Sequence, residues 1–377
     1  MTVNPKVVLL SLLLTPLFSA GSAAADEDAA VFSGLSYPIT APLRAAQKEG
    51  AVLFETPFSA APAAEYDTIL IQGELAAPGV TVEAVIKSGS FFLAPASYLS
   101  EQFRRFPSGR FWARFSVPLT RQPLKFRVVS LGLKTNSSIT IYETGLFQAG
   151  KAAEAAVPQS TVPYVPDAAL FLPESAPFKV IRRAEWRAAP PTQPYTPHAP
   201  RYFTLHHTQA HYPKNYAEAV NEMLFIQDYH QHGRGWIDIA YHFLIDPAGN
   251  IFEGRPINVL GAHVLSRNTG NIGISIMGNY HPPANDPFTA AAQDSFVAVG
   301  RYLKDTYEVP VSSFYAHRDI GNSDCPGDNL YAKKPLLTGL IFTPPAPALP
   351  PPPGDVPPLT EPQQRSLRQL MLSPGAL

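Results

Sequence analysis

Cysteine is all but missing from this chain. One residue, Cys325, stands among 377, so no disulfide can form within the chain. An excess of either charge is missing too. The 29 Lys and Arg stand against 30 Asp and Glu, leaving a net charge of −1. That excludes the basic field a nucleic-acid-binding surface requires. After the first 25 residues no run of about 20 apolar residues occurs, so no stable membrane span is expected once a leader is removed. No internal repeat recurs, so a stacked-repeat architecture is not expected.

Proline is plentiful: 41 residues, roughly twice average usage. This points to linkers and tails beside compact bodies. The apolar share of 45% is enough to build real cores, and the length allows two domains. Residues 1–25 read as a secretory signal peptide. Lys6 supplies a basic start, Val7–Leu14 an apolar run, and Ala23-Ala24-Ala25 before Asp26 a small-residue cleavage site. The run is too short to span a bilayer, and no cysteine is present there for lipid attachment. The chain is therefore expected to be secreted or periplasmic. Exported proteins usually use cysteines in pairs. The lone Cys325 is then a leftover buried thiol, an intermolecular bridge, a nucleophile or a metal ligand, and composition does not choose among them.

Residues 26–148 carry β-type patterning. Asp67–Leu75, Val80–Lys87, Gly109–Val117, Leu124–Ser130 and Ser138–Glu143 are short segments rich in branched residues and separated by turns, which predicts an all-β, sandwich-like domain. Pro42–Gln47 is a weak helix candidate. Tyr66, Phe106, Phe111, Trp112 and Tyr142 would fill the core or, less in keeping with their pattern, line a sugar-binding face. Residues 149–178 are rich in Ala and Pro and read as a semi-extended linker. A second domain is expected over 179–340 and a Pro-rich tail over 341–377, with a short amphipathic stretch at Gln363–Leu372. The second domain alternates element types. Strands are expected at Arg201–His206, Tyr241–Ile245, Asn250–Glu253, Asn271–Gly278 and Val311–Ala316. Helices are expected at Tyr216–His230, burying Val220, Met223, Leu224 and Gln227, and at Phe288–Tyr307, capped by Asp286. The sum is an α/β domain with a central mixed β-sheet flanked by helices.

Seven of the ten histidines lie between His206 and His263. Imidazole and thiolate are the donors a transition metal prefers. His206 and His317 each end an expected strand, and Cys325 follows His317 in a loop that can fold back to the strand end. Three such ligands leave a catalytic zinc its fourth position for water. By spacing alone this reading competes with ordinary buried or surface histidines.

More specific are seven ordered blocks: Leu205-His206-His207-Thr208, Gly235-Trp236-Ile237-Asp238-Ile239-Ala240-Tyr241-His242-Phe243, Glu253-Gly254-Arg255, Gly261-Ala262-His263, Asn271-Ile272-Gly273-Ile274, His317-Arg318-Asp319 and Cys325-Pro326-Gly327, preceded by Arg183 and Trp186. Over residues of about 180–335 the chain resembles the peptidoglycan recognition protein and type-2 N-acetylmuramoyl-L-alanine amidase family, which includes phage T7 lysozyme. The resemblance implies a Zn2+ held by His206, His317 and Cys325, and an amidase domain acting on peptidoglycan or muropeptides. It implies catalytic roles for Tyr241 and Ser323. The phage lysozyme has a lysine at the position of Ser323, and many amidase-active recognition proteins a threonine; a serine keeps the hydroxyl but supplies no charge. It also implies muropeptide contacts at His263 and Asn268, with Arg255 either contacting the stem peptide or pairing internally. His207 should point to the opposite strand face. Asp319 would orient a ligand histidine or pair with Arg318. Trp236 and Asp238 read as structural, and His211, His230, His232 and His281 as solvated. The alternative is a non-catalytic peptidoglycan-binding module, whose members typically lose the cysteine ligand. The resemblance does not reach the first 150 residues, whose role in cell-wall contact, protein contact or occlusion of the site stays open.

Overall fold

The first β region of this computed structural model is built from ten strands: β1 (Asp28–Ala29), β2 (Ile39–Leu43), β3 (Val52–Glu55), β4 (Tyr66–Leu75), β5 (Val80–Ile86), β6 (Ala96–Leu99), β7 (Gln102–Arg105), β8 (Arg110–Thr120), β9 (Leu124–Ser130) and β10 (Ser137–Phe147). The residues described are 28–46, 48–89, 93–149, 167–343 and 361. The expected signal peptide, most of the linker and nearly all of the Pro-rich tail, with its amphipathic stretch, lie outside them. All pairings in this region are antiparallel. One sheet runs β1-β10-β4-β8-β7 with β2 on β10, and the other runs β3-β9-β5-β6. Both contribute to one apolar cluster, including Ile69, Ile71, Val82, Ala84, Phe115 and Phe126. Alternation puts them there: β5 and β9 bury every second residue at their starts, as the pleat dictates. The Pro42 helix candidate is corrected. Ile39, Ala41 and Leu43 alternate inward on β2, which pairs with β10. Tyr66, Phe111 and Trp112 are buried, so they form no exposed sugar platform.

The second part holds a mixed five-stranded sheet, β11 (Tyr202–His207), β12 (Phe243–Ile245), β13 (Ile251–Glu253), β14 (Asn271–Ile276) and β15 (Phe314–Ala316), in the order β13-β12-β14-β11-β15. Only the β12–β13 pair is antiparallel. β11 and β14 are buried along their length except for Tyr202, as strands covered on both faces must be. The helices are α1 (Tyr216–Asp228), α2 (Ala290–Tyr307), α3 (His317–Ile320), α4 (Asp328–Tyr331) and α5 (Lys334–Phe342). Thr289, not Asp286, caps α2: its hydroxyl accepts from the Ala292 N–H at 3.0 Å. The Asp286 carboxylate is used instead by the Asn279 N–H at 2.7 Å. Val311–Ser313 forms a 3-10 turn, and the strand starts only at Phe314. The last part of the stretch read as linker also has a place. Leu172 is buried in the second core, with Ala176 and Phe178 packed against it.

The β region and the α/β part meet across α1. The sequence pattern shows one apolar face, yet α1 also buries Glu222 and Asp228, because β8 covers its other side. Arg110 of β8 donates to Glu222 at 2.9 and 3.1 Å, and the Trp112 indole N–H donates to Asp228 at 2.8 Å. Leu70 and Trp112 join Val220, Met223 and Phe225 in one cluster. Residues up to Phe342 form one unit, and 343–377 another, of which only Thr343 and Glu361 are described.

A pH dependence follows from this interface. His211 lies 3.4 Å from the Glu74 carboxylate and 3.4 Å from that of Glu218. Burial alone would lower the His211 pKa, but Glu74 and Glu222 outweigh it and raise it above 6.5. The Glu74 carboxyl is held below 4.5, chiefly by His211. A raised histidine stabilises below its unfolded pKa and loses that contribution as pH rises through the folded one. A lowered carboxylate stabilises above its unfolded pKa and loses it as pH falls. The pair should therefore stabilise most between roughly pH 4.5 and 6.5. Unfolding midpoints of wild type and His211→Gln should differ most in that window and converge above about pH 8; a constant difference from pH 5 to 9 would contradict this.

Candidate metal centre

β11 runs between its parallel neighbours β14 and β15 and ends on His206 and His207. The carboxyl ends of parallel strands are where α/β sheets build their sites. β15 delivers His317 as the first residue of α3. The following loop returns over the strand ends, tied by the Arg318 N–H to the Cys325 carbonyl at 3.0 Å. The Cys325 N–H donates to the Ser323 hydroxyl at 3.1 Å. As a result, one ligand atom each of His206, His317 and Cys325 lies within 4.8 Å of the others. No other such grouping occurs among the described residues.

Hydrogen bonds determine which nitrogen of His206 faces the cluster. His263 Nε2 lies 3.2 Å from the Asn271 carbonyl, which can only accept, so Nε2 carries the proton. His263 Nδ1 is then the acceptor for His206 Nε2 at 3.0 Å. This leaves the bare His206 Nδ1 facing Cys325 Sγ at 3.5 Å. Both rings must be neutral for this chain of bonds, and burial ensures it: His206 is pushed well below 6.5 and His263 to about 3. The His263 ring fits because Gly261 and Gly273 flank it. A Cβ on either would come within 2.6 Å of its ring carbons. Burial holds His317 at about 4 and pushes the Cys325 thiol up to about 12. The His207 N–H donates to the sulfur at 3.4 Å. Two neutral imidazoles and a buried sulfur offer lone pairs with no cation of their own among them, which is the donor set a borderline-soft divalent metal fits.

His207 is buried but outside this cluster. Its Nδ1 accepts the Tyr280 N–H at 3.2 Å. Tyr241 borders the cluster, its ring 5.2 Å from that of His206. Burial, then the charges of Cys325 and Glu143, raise its phenol pKa above 10, so the phenol stays protonated at neutral pH. Ser323 is half-buried, and its hydroxyl oxygen is used by Cys325. The three residues expected to contact a muropeptide each make hydrogen bonds within the chain. His263 is buried behind His206. Asn268 accepts from the N–H groups of His263 and Val264, both at 2.9 Å. Arg255 is buried and donates to the carbonyls of Ile239, Leu260 and Asp238 at 2.8, 2.6 and 3.1 Å.

Asp319 neither orients a ligand nor pairs with Arg318. It accepts from the Ala316 N–H at 2.7 Å and pairs with Lys334. Asp238 is fully buried and binds Arg183 and Gln227 at 3.0 and 2.7 Å. His230, expected in solvent, is buried instead. It accepts the Ala240 N–H at 3.1 Å, and its ring lies 6.0 Å from Tyr241. Its sequence signal was only its place at the end of a long helix pattern. The π-turn Tyr229–Gly233 that rotates it inward has no such signal.

The α/β body thus gathers two imidazoles and a thiol, a donor set that could hold a metal ion, at the ends of its parallel strands. The profile of the N-acetylmuramoyl-L-alanine amidase family (Amidase_2) matches residues 196–328. Peptidoglycan-recognition protein SC2 of Drosophila simulans is 37% identical over 134 residues, 34% of this chain and 70% of that protein. Peptidoglycan recognition protein 1 of Mus musculus is 35% identical over 157 residues, 40% of this chain and 84% of that protein. The solved amidase LysC of Clostridium intestinale is 28% identical, covering 42% of this chain and 97% of that one with a TM-score of 0.35. The chain belongs to the peptidoglycan recognition protein and type-2 amidase family.

Proposed function

We propose that this chain is a zinc-dependent N-acetylmuramoyl-L-alanine amidase. It would hydrolyse the amide between the lactyl group of N-acetylmuramic acid and L-alanine of the stem peptide. The observation that carries this reading is the convergence of His206, His317 and Cys325 within 4.8 Å, with a protonated tyrosine beside them. A zinc bound there supplies a Lewis acid and a coordinated water of pKa about 7. Tyr241 keeps its proton and donates it as a hydrogen bond to the oxyanion that develops on the lactyl carbonyl. Ser323 accepts from Cys325 and retains its own O–H for the same oxygen. His263 fixes the tautomer of His206, and Asn268 holds the backbone of His263. Arg255 ties the segment before Tyr241 to the loop before His263. We assign these three to holding the site rather than to touching the muropeptide. The protein acts after export, in the periplasm or outside the cell. No helix among the described residues is long and apolar enough to cross a membrane.

Purified peptidoglycan and mass spectrometry test the reading. Stem peptides beginning at L-alanine should be released, release should stop with a chelator, and zinc should restore it. A recognition module without turnover would bind the wall and release nothing. A cysteine hydrolase would ignore the chelator. His263→Ala should weaken zinc binding about 10–100-fold by freeing the His206 tautomer, as read by competition with a chromophoric chelator; unchanged affinity would remove the role given to His263.

A further inference from the structure

The family match begins at residue 196, so the β region lies outside everything that match assigns. Yet this region reaches the segment that carries Tyr241. Glu143 on β10 accepts from Arg234 at 2.8 Å, and its second oxygen is fixed by the Gln72 amide at 2.6 Å. The Arg234 guanidinium lies 5.2 Å from the ring centres of both Tyr229 and Trp236. Trp236 contacts His230 at 4.9 Å between ring centres, and the Trp236 N–H donates to the His230 carbonyl at 2.9 Å. His230 in turn holds the Ala240 N–H and lies against Tyr241. The π-turn at the start of this run is closed by the Arg234 N–H on the Tyr229 carbonyl at 2.9 Å. β8 holds it from the same side, with Arg114 donating to the Gly233 carbonyl at 3.1 Å.

We infer that Glu143 is a positioning residue of the amidase site, acting through Arg234 to hold residues 229–241 and so the Tyr241 phenol. This rests on the amidase reading above. An exposed ion pair would contribute little. Here the arginine side chain is only 12% exposed, contacts two rings and is bonded to the Glu143 carboxylate, so that carboxylate helps to set where it sits. π-turns inside helices recur at functional sites, and small misplacements of an oxyanion donor are costly. The β region is thereby an integral wall of the enzyme rather than a tethered passenger.

The test uses the full zinc-loaded chain with Glu143→Gln, Arg234→Gln and the double variant. Each single substitution should lower kcat about 10-fold with KM within about 2-fold, and zinc content should be unchanged. The double variant should be no worse than the worse single one, because the pair acts as a unit. Amide hydrogen exchange should rise about 10-fold over 229–241 and stay unchanged over α2. Wild-type kcat with wild-type exchange would overturn the inference. So would a KM increase at constant kcat, which would make the pair a substrate contact. If the wild-type chain cuts no muropeptide, the amidase reading fails, and exchange over 229–241 alone decides the positioning role.

Discussion

Cys325→Ser is expected to lower amidase turnover at least ~10³-fold, since metal activation supplies several kcal/mol and each ~1.4 kcal/mol is tenfold. Zinc content should fall with it. The sulfur sits 3.5 Å from His206 Nδ1 and receives the His207 N–H at 3.4 Å. Burial keeps the free thiol protonated; only a cation at the cluster makes its thiolate favourable in that environment. A serine hydroxyl is far harder to deprotonate and gives a weaker donor, so the site would keep two imidazoles and lose the charge that balances the metal. The fold should survive, because the Cys325 loop is tied by its backbone, the carbonyl accepting from the Arg318 N–H and the N–H donating to the Ser323 hydroxyl. Zinc content, turnover and unfolding midpoint of the variant check this together. A variant retaining zinc and full turnover would remove Cys325 from the ligand set.

Arg110→Ala is expected to cost about 3–5 kcal/mol of stability, the range for breaking a buried ion pair. At this chain length that is a fall of roughly 4–6 °C in Tm. Arg110 and Glu222 are only 2% and 1% exposed. The guanidinium also donates to the Gly73 carbonyl at 2.7 Å and to Gln72 at 2.8 Å, and lies 3.8 Å from the Phe225 ring centre. Removing it leaves the Glu222 carboxylate buried without its ion-pair partner. Arg127→Ala, which breaks a more exposed pair with Glu55, should cost under about 1 kcal/mol. Thermal unfolding of the full chain compares them. Equal, small losses would mean that water or rearrangement compensates Glu222 and that the interface is softer than its geometry implies.

Much of the candidate site is legible from sequence because its clustered residues sit where local pattern ends: His206 at the end of β11, His317 just past β15, Cys325 one loop later. Roles that depend on partners far along the chain are not legible. The sequence does not show that the His263 ring meets His206, 57 residues away. The sequence leaves Arg255 between a stem-peptide contact and an internal pairing, and its three carbonyl partners come from elsewhere in the fold. His230 reads as solvated because a π-turn carries no periodic signature.

By itself, the sequence determined five of the ten strands described in the β region, the α/β alternation of the second part, the family and the three residues that cluster at the strand ends. Alternation, turn residues and ordered blocks are local properties, written in neighbours along the chain. Tertiary structure alone decided that α1 is covered on two sides and that Glu222 has Arg110 as its partner, 112 residues away. It alone brought Glu143 to the segment that carries Tyr241. Burying a charge or orienting a ring depends on what arrives from elsewhere in the chain, and side-chain periodicity reports only that a face is covered, never by what.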